Sequence, residues 1–117
     1  MRHRKNVPTL DRRKGPREAL LRGLINNLVL YEKIDTTKAK AKAVKPLVEH
    51  LVTYGKRTDI AAKRYVAARV YTDGARRKIF EILGPRYASR PGGYTRIIPL
   101  KRRQGDGAEI VRIGFVS

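Results

Sequence analysis

A chain of 117 residues with 28 lysines and arginines against 10 acidic residues, net charge +18, is long enough for one compact core and too basic to neutralise itself. That balance favours a polyanionic partner, and the absence of cysteine excludes disulfide frameworks and thiolate zinc sites. No stretch reaches the roughly 18 apolar residues of a membrane span and the basic N-terminus lacks a signal-type apolar run, so a soluble, cytosolic protein with no membrane contact is expected.

Residues 1–14 hold Arg2, Arg4, Lys5, Arg12, Arg13 and Lys14 with His3 among them, and only Val7 and Leu10 as aliphatics after Met1. Such an arm cannot bury enough apolar surface to fold alone, and it is read as a tail that orders as it threads into RNA grooves. Residues 15–117 are read as a single domain.

Gly15-Pro16 suits an N-cap and first helical position, with Glu18 in the first turn to match the helix dipole. From 16 to about 30, Leu20, Leu21, Leu24, Ile25 and Leu28 recur at helical spacing and form one apolar face, leaving Arg17 and Arg22 outside it. Gly23 costs about 1 kcal/mol against alanine in a helix interior and reads as a mark of close packing. Tyr31 to Asp35 alternates as a short strand, after which Thr36 or Thr37 caps a second helix running to about Tyr54. Val44, Leu47, Val48, Leu51 and Val52 make its buried face, and Pro46 predicts a kink or a break.

The opening of that helix breaks a local rule. Lys38, Lys40 and Lys42 occupy its first two turns, where each cation opposes the positive end of the dipole by a few tenths to about 1 kcal/mol, and Lys38 and Lys42 repel at i,i+4. Only Asp35 is close in sequence. A phosphate backbone would supply the missing compensation, so the three lysines are candidate RNA contacts.

Thr58 or Asp59 can cap a third helix to about Tyr71, with Ala61, Ala62, Tyr65 and Val66 inward. Asp73-Gly74 then reads as a turn into a fourth helix, Ala75 to Leu83, burying Ile79, Phe80 and Leu83. Residues 83–96 form the joint of the fold: Gly84 is expected to end the helix in the left-handed conformation, Pro85 to prevent its continuation, and Pro91-Gly92 to make a type II turn with positive φ at Gly92. No acid lies between Ile82 and Gly105, and the joint presents Arg86, Arg90 and Arg96 beside Tyr87 and Tyr94, a combination suited to phosphate and base contacts.

Two strands follow, Tyr94 to Lys101 and Ala108 to Val116, and Gly105-Asp106 between them suits a tight primed turn. Val111, Ile113 and Phe115 share the face assigned to the helices. Pro99 lacks a ladder donor and places its strand at an edge, so the last strand is central and the 32–35 segment flanks its other side. The expected fold is α+β, in two layers, with about four helices packed on one face of a small three-stranded sheet.

Several blocks carry a resemblance: Met1-Arg2-His3, the run from Asp35 to Lys42, Gly84-Pro85-Arg86-Tyr87, Gly92-Gly93-Tyr94-Thr95-Arg96-Ile97, and Arg103-Gln104-Gly105-Asp106. In order and over nearly the whole chain, they resemble the bacterial large-subunit ribosomal protein L17 family. The chain departs from the family pattern at Val7-Pro8, near Pro16 and at Gly23. The resemblance implies the same two-layer arrangement, large-subunit ribosomal RNA and neighbouring large-subunit ribosomal proteins as partners, and a cytoplasmic location in the ribosome, toward the solvent side near the exit of the peptide tunnel. With it, Arg102 and Arg103 join the candidate RNA contacts.

Catalysis finds no footing. The histidines, His3 and His50, have no motif-placed carboxylate partner; serine occurs only at Ser89 and Ser117; the acids are scattered singly. No phosphate-cradling glycine loop appears. The chain is therefore read as a non-enzyme with no cofactor, no metal and no small-molecule substrate. Charge alone also allows a DNA-binding, nucleoid-type protein, although no helix-turn-helix or zipper is present.

Overall fold

In the computed structural model, which describes residues 14–117, the apolar stripe of the first helix builds α1, Lys14–Tyr31. Leu21, Ile25, Leu28 and Val29 are buried on it. Gly15 and Pro16 fall inside the first turn, where Pro16 sacrifices no hydrogen bond because the first four amides have no intrahelical acceptor; Glu18 lies beyond that turn. Nothing stands within 4 Å of where a Cβ on Gly23 would be, so the close packing expected there is absent.

The helix also runs further than its pattern suggests. Tyr31 is still helical, and Glu32 takes the left-handed corner, φ 65°, donating its amide to Leu28 O at 2.8 Å. Strand β1 is therefore Lys33–Thr37 rather than Tyr31 to Asp35. A glutamate at positive φ costs about 1–2 kcal/mol. Two cations offset it: Arg86 pairs with the Glu32 carboxylate, and Lys78 sits 3.0 Å from the same group.

Thr37 caps α2, Lys38–Gly55, its hydroxyl accepting from the amide of Lys40 at 3.5 Å. The helix continues through Pro46 without a break, and its buried side carries Ala41, Val44, Val48, Leu51 and Val52, with Leu47 half-buried. This helix is the spine of the molecule: it packs on all three strands, on α1, and on the helices that follow. Burial of each such aliphatic contributes about 1.5–3 kcal/mol.

Helix α3, Ile60–Arg69, starts at Asp59 without a side-chain cap bond, because Arg57 holds that carboxylate at 2.7 and 3.0 Å. Ala62 and Val66 point inward, Tyr65 stacks on Tyr54, and Ala61, expected inside, is exposed. The helix stops two residues early because Val70 turns extended and buries its side chain. Arg76 donates to the carbonyls of Val70 at 2.9 Å and Ala67 at 3.3 Å, a cation where the α3 dipole is negative.

Thr72 caps α4, Asp73–Lys78, so Asp73-Gly74 is the first turn of the helix and not a connection before it. A π-helical segment, Ile79–Leu83, continues into α5, Gly84–Arg86. Ile79 and Leu83 are buried as expected and Phe80 is half-buried. Gly84 does not end the helix: its φ is −55°, and its amide bonds Ile79 O five residues back. The wider π turn relieves the clash that Pro85 would make with the preceding turn. Glycine is needed here for another reason, since a Cβ on Gly84 would stand 2.8 Å from the carbonyl carbon of Gly55 and closer still to its oxygen.

The left-handed residue of the joint is Gly93, φ 63°, whereas Gly92 is nearly extended at 159°, so the type II turn expected at Pro91-Gly92 is not formed. Strands β2, Thr95–Arg102, and β3, Glu109–Phe115, complete a three-stranded antiparallel sheet in the order β1-β3-β2. Pro99 lies on the edge strand, beside a register irregularity between Pro99 and Lys101. The β2–β3 connection is broader than a two-residue primed turn: Gly107 donates to Arg103 O at 3.0 Å and Arg103 to Ala108 O at 2.7 Å, with Gly105 at φ 97°. Val111 and Ile113 are buried beneath α2, and Phe115 packs at their end, so the helices cover one face of the sheet.

Candidate nucleic-acid interface

Strand alternation divides the sheet. Ile113 is fully buried with Ile34 and Ile97 as its cross-strand partners, so the residues one step along face the other way. On that outer face the register sets Lys33, Gly114 and Arg96 in one row, Asp35, Arg112 and Ile98 in the next, and Thr37, Ile110 and Lys101 in a third. Arg112 grips Asp35 at 2.7 and 3.2 Å and holds that carboxyl below its ordinary range. Lys33, Arg96 and Lys101 form no ion pair among the described residues. Lys33, Lys101 and Arg112 are the outer-face cations that a residue-by-residue reading misses; the alternation that puts Val111 and Ile113 inside already turns Arg112 outward.

The start of α2 is the second cationic surface. Lys38 and Lys42 are exposed and Lys40 half-buried, with no acid in the first turn. Compensation within the chain comes from Glu109 at the start of β3, 3.5 Å from Lys38, and not from Asp35, which is taken by Arg112. Both members of the Lys38–Glu109 pair are about half exposed, so it contributes below about 1 kcal/mol and leaves Lys40 and Lys42 unpaired.

The joint is less open than its composition implies. Tyr87 and Tyr94 are 2% and 1% exposed. Tyr87 donates to Val116 O, and the Tyr94 hydroxyl lies 3.2 Å from that of Thr53. Both rings are core, and neither offers a face to a base. Arg86 is spent on Glu32, whose pKa falls to about 2, the Arg86 hydrogen bond being the largest cause. Arg103 holds Asp106 at 2.5 Å and likewise lowers its pKa to about 2, and Arg102 donates to Gly107 O at 3.2 Å. These residues shape the β2–β3 loop. Arg90 and Arg96 remain exposed.

Arg22 turns back onto α3, donating to Ala68 O at 2.8 Å and lying over the Tyr71 ring, while Arg17 is half-buried beside Leu21 and Ile25. Lys14, assigned to the arm by composition, is already the first residue of α1. Arg2, His3, Arg4, Lys5, Arg12 and Arg13 lie outside the described residues. Among the described residues no group of histidines and acids could hold a metal ion, and no helix is long and apolar enough to cross a membrane.

Residues 20–116 match the family described as "Ribosomal protein L17". The chain is 42% identical over 117 residues to the large ribosomal subunit protein bL17 of Dehalococcoides mccartyi, covering all of both chains. It is 48% identical over 112 residues to the protein of that name from an Exiguobacterium species, 92% of this chain and 96% of the relative. A third, from Gemmatimonas aurantiaca, is 45% identical over 116 residues, 99% and 98% of the two chains.

Proposed function

The chain belongs to the ribosomal protein L17 family, and from that premise we propose that it is a structural constituent of the large ribosomal subunit, binding ribosomal RNA through phosphate contacts spread over its surface. The observation that carries this reading is the uneven pairing of charge. Glu32, Asp35, Asp59, Asp73, Asp106 and Glu109 each already hold a cation, while Lys40, Lys42, Lys33, Arg90, Arg96 and Lys101 have no such partner among the described residues. Phosphates placed against α2's start and the outer sheet face would neutralise them.

In this reading the 15–117 segment is one α+β domain and the basic arm, residues 1–14, enters RNA grooves and helps the subunit assemble. The protein works in the cytoplasm as part of the ribosome, beside other large-subunit proteins, and catalyses no reaction. Arg86, Arg102, Arg103, Tyr87 and Tyr94 serve the fold that presents the contacts, and Arg22 ties α1 to α3.

Cosedimentation of the tagged protein with large subunits through a high-salt wash tests the proposal, together with affinity for folded ribosomal RNA and duplex DNA at matched salt. Retention on the subunit and preference for the RNA are expected. Equal, sequence-blind binding to both polymers would favour a DNA-compacting protein instead.

A further inference from the structure

The rings expected to stack on bases are buried, but two aromatic side chains are exposed: Tyr71, whose ring lies under Arg22, and Tyr31. Tyr31, the last residue of α1, is 70% exposed. Its position is fixed from several directions: the next residue, Glu32, is held by Arg86 and Lys78, its carbonyl accepts from Phe115 N at 2.9 Å, and Lys78 also donates to Leu30 O at 3.0 Å. The ring therefore stands on a pinned corner.

That corner forms one wall of a 590 Å³ groove across the outer sheet face, lined by Lys33, Arg90, Arg96, Ile98 and Arg112. Its floor is backbone, because Gly114 lies in register between Lys33 on one side and Arg96 on the other. Two strand spacings, about 9–10 Å, separate those cations with no side chain between them. Of the acidic side chains, Glu32 lines the groove and is already engaged by Arg86 and Lys78, and Asp35, in the next row of the sheet, is engaged by Arg112.

We infer that this groove binds a single unpaired RNA nucleotide, its base stacked on the Tyr31 ring and its phosphates held by Lys33, Arg90 and Arg96. The inference rests on the RNA-binding reading above and names the form of RNA taken at this place. A flat exposed ring set among free cations suits a base with its phosphate, whereas a duplex keeps its base faces covered. Uniform phosphate contact would need the cations and not the ring.

The chain contains no tryptophan, so Tyr31→Trp places the sole indole at the groove. The full-length variant is titrated with a single-stranded oligoadenylate, with an abasic oligoribonucleotide of equal length, and with an acidic peptide, while filter binding follows retention of ribosomal RNA. Saturable quenching by oligoadenylate, about ten-fold tighter than any response to the abasic strand, is expected, and Lys33→Gln with Arg96→Gln should abolish it. Tyr31→Phe should keep oligoadenylate affinity and Tyr31→Ala lose about ten-fold, both melting like the parent because the ring is exposed. Equal quenching by the abasic strand or the peptide overturns the nucleotide site. Undiminished retention of ribosomal RNA without quenching overturns it and leaves the RNA-binding reading standing; failure of the parent to retain RNA removes both.

Discussion

Arg86 and Glu32 meet across 54 positions of sequence, joining the end of the helical run after Asp73 to the left-handed corner that follows α1. The pair holds the carboxyl at about 2 against an ordinary 4.5. A depressed acid pKa stabilises the fold fully above the unfolded value and is lost as pH falls through the folded one, so this contribution fades between about pH 4.5 and 2. Because 37% of the carboxylate side chain is exposed, its value is discounted to about 1–2 kcal/mol. Glu32→Gln should lower stability by that amount at pH 7 and by much less near pH 2, read from urea melts at both values. An equal loss at both would show that the charge is not the cause.

Gly84→Ala should be among the most damaging single changes outside the apolar core. A methyl there meets the backbone carbonyl of Gly55, which no rotamer change can move aside. A loss of about 3 kcal/mol or more is expected in thermal or urea unfolding, on the scale of core overpacking. Gly23→Ala, with open space around it, should instead stabilise α1 by up to about 1 kcal/mol.

Gly93→Val should cost about 1–2 kcal/mol or more, since a branched side chain must enter the left-handed region at φ 63°. Gly92, at φ 159°, also lies where an L side chain is strained, so Gly92→Val should be destabilising too. A Gly93→Val protein that melts like the parent would contradict the backbone described for the joint.

Replacing Lys38, Lys40 and Lys42 together with glutamine should weaken RNA binding and reduce the slope of log affinity against log salt by about 2. The free fold should change by less than about 1 kcal/mol, because the exposed Lys38–Glu109 pair lost is balanced by relief of three cations at a positive helix end. An unaltered salt slope would remove the helix start from the interface.

Local cues in the sequence alone determined the α+β class, the central place of the last strand, a threonine cap on α2 narrowed to Thr36 or Thr37, the edge position of Pro99 and the inward face of Val111 and Ile113, because each depends on neighbours within a few positions or on the pleat of one strand. Tertiary structure decided what those cues could not reach. Gly84-Pro85, a stop signal in isolation, became a helix crossing because Gly55 arrives against it. Tyr87 and Tyr94 went inside because the C-terminal strand and α2 supply partners for their hydroxyls, while Tyr31 was left out in the groove. Which cations remain unpaired depends on which carboxylates fold next to them, and contacts as distant as Arg86–Glu32 or Lys38–Glu109 exist only once the chain has closed.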